Sequence, residues 1–169
     1  MAQKTLNITL HVSELTFDIM NGTDLTAKSK HTDAEGGNDE QVAHMTASED
    51  EWSMNHILRS IQGAVGDLRI ALNEYLNDNN TDLSDKLMSG NDKIVFNLIV
   101  PANFNFATKQ GIASLMHDYI VNSAIAKWFN TTAPNETETY FALAGKSLQH
   151  VKQAINKRIR PKRQAPLGA

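Results

Sequence analysis

Residues 48–75 read SEDEWSMNHILRSIQGAVGDLRIALNEY, and this stretch decides the fold class. Met54, Leu58, Ile61, Val65, Leu68, Leu72 and Tyr75 follow one another at spacings of 4, 3, 4, 3, 4 and 3. Apolar side chains at those intervals fall on one face of an α-helix and stay there for three heptads. Ser48 to Glu51 has the form of a capping box, Ser48 accepting from the Glu51 amide and Glu51 reaching back. Three acids also sit at the positive end of the helix dipole. The pattern predicts a helix of about 28 residues, ~40 Å long at a rise of 1.5 Å per residue, ending before the run Asn77 to Asn80. Such a seam is core for a helical bundle or a surface for a second chain.

Downstream, Lys93–Val100 alternates as a strand, with Phe96, Leu98 and Val100 on one face and Val95 and Ile99 on the other, and Pro101 stops it. Asn105 is placed to cap a helix over 106–129, with a broad stripe through Ile112, Leu115, Met116, Tyr119, Ile120, Ile125 and Trp128. A third helix over 135–160 carries Phe141, Ala144, Leu148, Val151, Ile155 and Ile159, and Pro161 blocks its extension. Upstream, Thr5–Val12 alternates Leu6, Ile8, Leu10 and Val12 with polar residues and predicts another strand. Residues 13–27 stay open between strand and helix, because Leu15, Phe17 and Ile19 alternate before Asn21-Gly22. Lys28 to Ala47 contains Gly36-Gly37 and only Val42 and Met45 as sizeable apolar residues. It predicts a long mobile loop or arm, ordered by adjacent subunits through Lys28, Lys30, Val42 and Met45. The expectation is an α+β protein, mainly α: three long helices in a bundle with a small sheet from Thr5–Val12 and Lys93–Val100. Residues 1–160 form one domain and residues 161–169 a flexible basic tail.

Composition narrows the chemistry. The 169 residues are 41% hydrophobic and 21% charged, which suits one domain with a real core. Without cysteine there is no disulfide, thiolate nucleophile or iron–sulfur ligand. No apolar run approaches the ~20 residues of a membrane helix, and the start is not a secretory signal, so the expected setting is cytoplasmic, off the membrane. Glycine-rich phosphate loops, GxSxG, HExxH and the EF-hand spacing are all missing. The six histidines never pair at helical ligand spacing. A site assembled from His117, Asp118 and His56, or a cation held by Asp82, Asp85 and Asp92, is the less favoured reading beside ordinary packing histidines and a solvated acidic loop. The expectation is no enzyme, no metal and no cofactor.

Charge is the informative feature. From Lys146 onward the chain holds seven of its 16 bases and no acid, while the preceding 145 residues hold nine bases and all 19 acids. Cations favour a helix C-terminus, which accounts for two or three of these. Seven point to a polyanion: the acidic face of another copy or neighbour, or a DNA phosphate backbone. The contact residues are Lys152, Lys157, Arg158, Arg160, Lys162 and Arg163. No aromatic interleaves the run, so base stacking is not expected from it.

Three segments, Ile57–Ile61 leading to Leu72–Leu76, His117–Phe129, and Ile155–Arg163, resemble short bacteriophage and prophage virion structural proteins of the head–tail neck. The resemblance covers about half the chain, lies in helix texture, and carries over no residue with an assigned role. It implies a mainly helical, ring-forming connector, adaptor or tail-completion protein packed in many copies around the DNA passage. Its partners would be other copies of itself and other virion proteins, and its place the virion, assembled in the host cytoplasm. A small DNA-associated accessory protein, binding the phosphate backbone nonspecifically through the basic C-terminus, is the alternative.

Overall fold

A computed structural model describes residues 3–33, 39–77 and 85–159, and within these no side chain of 31–33 or 39–41. The elements are β1 (Gln3–His11), α1 (Val12–Asp33), α2 (Asp39–Met45), α3 (Glu51–Ala71), β2 (Lys93–Pro101), α4 (Lys109–Thr132) and α5 (Pro134–Ile155). Single 3-10 turns follow α3 at Asn73–Tyr75 and precede α4 at Phe106–Thr108. The protein is α+β and mainly α, with four long helices among the described residues and a two-stranded antiparallel sheet.

Both strands behave as their alternation predicts. Leu6 faces Leu98, Ile8 faces Phe96 and Leu10 faces Ile94 across the ladder, and all of these, with Val100, lie buried on one side. Each such side chain withdrawn from water contributes ~1.5–3 kcal/mol relative to exposure, which fixes the register: a one-residue slip would turn the whole row outward. The far edge of β2 is also engaged, because Leu76 bridges Leu98 and the Asn77 amide donates to Asn97 O at 2.8 Å.

Residues 12–33 are helix. Val12, Leu15, Thr16, Ile19, Thr23 and Ala27 are buried at helical intervals, whereas Phe17, which completes the strand-like alternation, is 66% exposed. Threonines inside this helix return their hydroxyls to the backbone, Thr16 Oγ1 donating to Val12 O at 2.8 Å and Thr26 Oγ1 to Gly22 O at 2.8 Å. That satisfies groups which would otherwise favour a loop.

Of the arm expected at 28–47, residues 34–38 lie outside the described residues and the rest is largely helical. Residues 28–33 finish α1, and α2 folds back against it, the Ala47 amide donating to Thr23 Oγ1 at 3.1 Å. Met45 is buried and Val42 packs against the same core, so these two meet their own chain instead of a neighbour. Met45 O also accepts from the Trp128 indole at 2.8 Å, a contact across 83 residues that no local pattern encodes.

The long helix begins later and ends earlier than its seam implies. Its cap is Asp50, not Ser48: Asp50 accepts from the Ser53 amide at 2.9 Å and from Ser53 Oγ at 2.7 Å, while Ser48 donates its hydroxyl to the same carboxylate. A charged acceptor at the positive end of the dipole binds these donors more strongly than a hydroxyl does. The Ser48 and Ser53 donors hold the Asp50 carboxyl at about 2, below its usual 3.8. At the other end the helix stops at Ala71, and Asn73–Tyr75 tightens into a 3-10 turn that carries the chain toward β2. The seam itself becomes intramolecular core through Leu58, Ile61, Val65, Leu68 and Leu72.

Helix α4 is the hub. Four consecutive residues, Ser123 to Ala126, are buried, so the helix is enclosed on every side at that level, by α1, α3 and α5. It runs antiparallel to α3. His56, early in α3, stacks edge-on against Trp128, late in α4, while Asp67 lies near enough to Tyr119 that its charge adds to burial in raising the phenol above its ordinary range. It is antiparallel to α5 as well, through the tight reversal at Ala133. Pro134 occupies the first turn of α5, where its missing N–H costs nothing. Helix α5 ends at Ile155, short of the expected 160, and Ile159 is 57% exposed beyond it.

Candidate interaction surfaces

The direction of α3 sets up two chemically different ends. At its C-terminal end, Asn156 Nδ2 donates to Tyr75 Oη at 3.0 Å and places the end of α5 beside the end of α3. The chain then turns, Arg158 forms a β-bridge with Phe104, and the Ile159 amide donates to Asn103 O at 2.9 Å. This seats Lys157 and Arg158, both exposed, against the loop that leaves β2. Lys4, at the start of β1, lies with its Nζ 5.4 Å from the Phe106 ring in the same loop. Lys109, also exposed, opens α4 directly after the Phe106–Thr108 turn. Lys152 is on the last turn of α5. The segments 93–117 and 139–159 that build this end contain no acid; among the described residues Glu74, in the 3-10 turn, lies next to it. Of the six predicted contact residues, Lys152, Lys157 and Arg158 are therefore brought together, and Arg160, Lys162 and Arg163 lie outside the described residues.

The N-terminal end of α3 carries Glu49, Asp50 and Glu51, with Glu136 and Glu138 in the first turns of α5. Two of the predicted arm residues are engaged near it: Lys28 pairs with Asp24 at 2.6 Å and Lys30 with Glu136 at 3.0 Å. The 21 residues of α3 separate the two ends by ~30 Å. The Debye length at physiological ionic strength is only ~8 Å, so neither end feels the other, and each meets solvent as an independent patch.

Next to the acidic end lies a groove of about 680 Å³ between the start of α3 and the end of α4. Both tryptophans of the chain line it. Trp52 stands 88% exposed, and Trp128 is half-buried with the His56 ring edge-on at 5.4 Å and an interplanar angle of 81°. Arg59, also in the lining, donates to Asp85 O at 2.7 Å. A second groove of about 600 Å³, against the chain that leads into the same helix, holds Phe17, Met20 and Met54. Sequence reasoning missed both. The one signal was Trp52 itself, a large aromatic off the apolar seam of an amphipathic helix.

The dispersed histidine site does not assemble. His117 Nε2 lies 2.8 Å from Asp18 Oδ2, on α1, while His56 is against Trp128. Positions 117 and 128 are ~16 Å apart along α4, which keeps the two histidines in separate surroundings. Asp92 accepts from the Ser89 amide at 2.7 Å within its own turn, Asp85 offers its backbone carbonyl to Arg59, and Asp82 lies outside the described residues. Among the described residues no group of three or more His, Asp or Glu side chains is placed to hold a metal ion, and no helix is long and apolar enough to cross a membrane.

Comparison with family models, with curated proteins and with solved structures yields no match to this chain.

Proposed function

We propose that this chain is a non-enzymatic assembly protein, a phage-type virion structural component that forms a homo-oligomeric ring or a heteromeric layer at the head–tail neck. The observation that carries the reading is the separation of charge along α3, acids at its start and an acid-poor basic cluster ~30 Å away at its end. A molecule with unlike patches on opposite ends makes heterologous, head-to-tail contacts, and these close into rings or extend into filaments. Complementary charge also steers the encounter and fixes its register. The exposed apolar side chains Phe17 and Ile70 add surface that a partner would cover.

Light scattering tests it. The expected result is a mass many times 18.7 kDa, alone or on mixing with co-encoded virion proteins, reduced by K157E/R158E and restored when the altered chain is mixed with one carrying E49K/E51K. A monomer inert toward every co-encoded protein refutes it. The second reading, a DNA-associated accessory protein that binds the phosphate backbone nonspecifically, is favoured by Lys152, Lys157 and Arg158 gathered at one end with Lys4 and Lys109. Retardation of random duplex DNA that vanishes at ~0.2–0.3 M salt and with K157E/R158E would replace the first reading with this one.

A further inference from the structure

We infer that the tryptophan groove between α3 and α4 is a binding site for an uncharged oligosaccharide, with Trp52 as the platform on which a sugar ring stacks. Three observations lead there. First, an indole 88% exposed at the mouth of a concavity withdraws little apolar area in this chain; its face is available to another flat, weakly apolar surface. Second, the groove's size, about 680 Å³, is that of a small-ligand site and fits two or three sugar rings. Third, its lining combines aromatic and polar side chains. Trp128 is fixed by its indole bond to Met45 O and by the His56 ring, so it presents a rigid wall. Asn55 and Glu51 stand on α3, and Thr131 closes the far side from α4. Thr131 donates its hydroxyl proton to Trp128 O at 2.9 Å, which leaves its oxygen as an acceptor for a ligand hydroxyl.

Charge selects the ligand class. Glu51 inside the groove, with Glu49 and Asp50 just before it, opposes a phosphate or a nucleotide. Arg59, which lines the same groove, opposes a quaternary ammonium or a basic peptide side chain. A neutral ring with an apolar C–H face and a rim of hydroxyls meets neither penalty: its face lies on Trp52 and its hydroxyls on Asn55, Glu51 and Thr131.

Tryptophan fluorescence and indole N–H shifts report directly on the site. The full chain is titrated with maltotriose, cellotriose, chitotriose and galactotriose, with choline and glucose 6-phosphate as charged controls. The expected result is a saturable change with at least one trisaccharide below ~10 mM, and binding ~tenfold or more weaker in W52A. W52F retains part of it, because the ring face survives. Since Trp52 is almost fully exposed, W52A unfolds at the same temperature as the parent, which separates a lost platform from a lost fold. Failure of all four trisaccharides, equal binding by W52A, or tighter binding of choline or glucose 6-phosphate overturns the proposal. None of these outcomes bears on oligomeric mass, so the assembly reading stands or falls separately.

Discussion

Gly22 lies in the middle of α1 where that helix crosses α4, and its place there is decided by one atom. A Cβ built at position 22 would sit 2.7 Å from Ile125 Cδ1, with Cγ1 of the same side chain at 3.9 Å. Replacing glycine by alanine inside a helix gains about 1 kcal/mol of intrinsic stability. Against that, Ile125 is 2% exposed and has little room to move its terminal methyl, and overpacking a dense core costs ~1–3 kcal/mol. G22A alone is therefore expected to range from neutral to ~2 kcal/mol destabilising. I125V alone removes the colliding methyl and costs ~0.5–1.5 kcal/mol. In the double variant the clash is gone, and the alanine keeps its full helix gain. The pair should thus couple favourably by ~1–3 kcal/mol, read as urea unfolding midpoints at unchanged m. If the two substitutions add to within ~0.5 kcal/mol, the close approach of α1 to α4 at this point is wrong, and so is the account of why glycine stands there.

Three further outcomes are expected. D50A should lower the melting temperature at pH 7. Because the folded carboxyl titrates at about 2 and the unfolded one near 3.8, the parent's advantage is complete above pH 3.8 and disappears as pH falls toward 2; a difference that stays constant from pH 7 to pH 2 contradicts the cap. F129A empties a position with no solvent exposure, where the ring packs 5.5 Å from Tyr140, and should cost ~3–5 kcal/mol in urea unfolding. The two tryptophans should differ optically: W128F, which leaves Trp52, should emit further to the red and be quenched more strongly by acrylamide than W52F, and similar quenching would contradict their placement.

The basic end shows how the sequence and the fold divide the functional argument. Its charge is visible along the chain, as seven bases from Lys146 onward with no acid among them. What the chain order hides is that Phe106, some fifty residues before Arg158, joins the cluster beside Lys4. The basic run carries no aromatic of its own, and Phe106 comes to its described part only through the fold. The Trp52–Trp128 groove is a stronger case, since its two tryptophans stand 76 residues apart in the chain, on different helices.

Periodicity alone determined the two strands, the α3 seam and the helical character of α4 and α5, because burial of one face leaves a repeat of two or of 3.6 in the residues themselves. It could not determine 12–33 or 39–45. There the apolar residues are sparse and the threonines many, and helix forms because Val12, Leu15, Ile19 and Met45 find a core to enter and Thr16, Thr23 and Thr26 find backbone or side-chain partners. The choice between Ser48 and Asp50 as cap likewise depends on where the backbone turns, which a three-residue spacing does not specify. Local pattern records what a segment prefers when half of it is covered; what covers it, and which distant side chains then share a surface, is settled only when the helices pack.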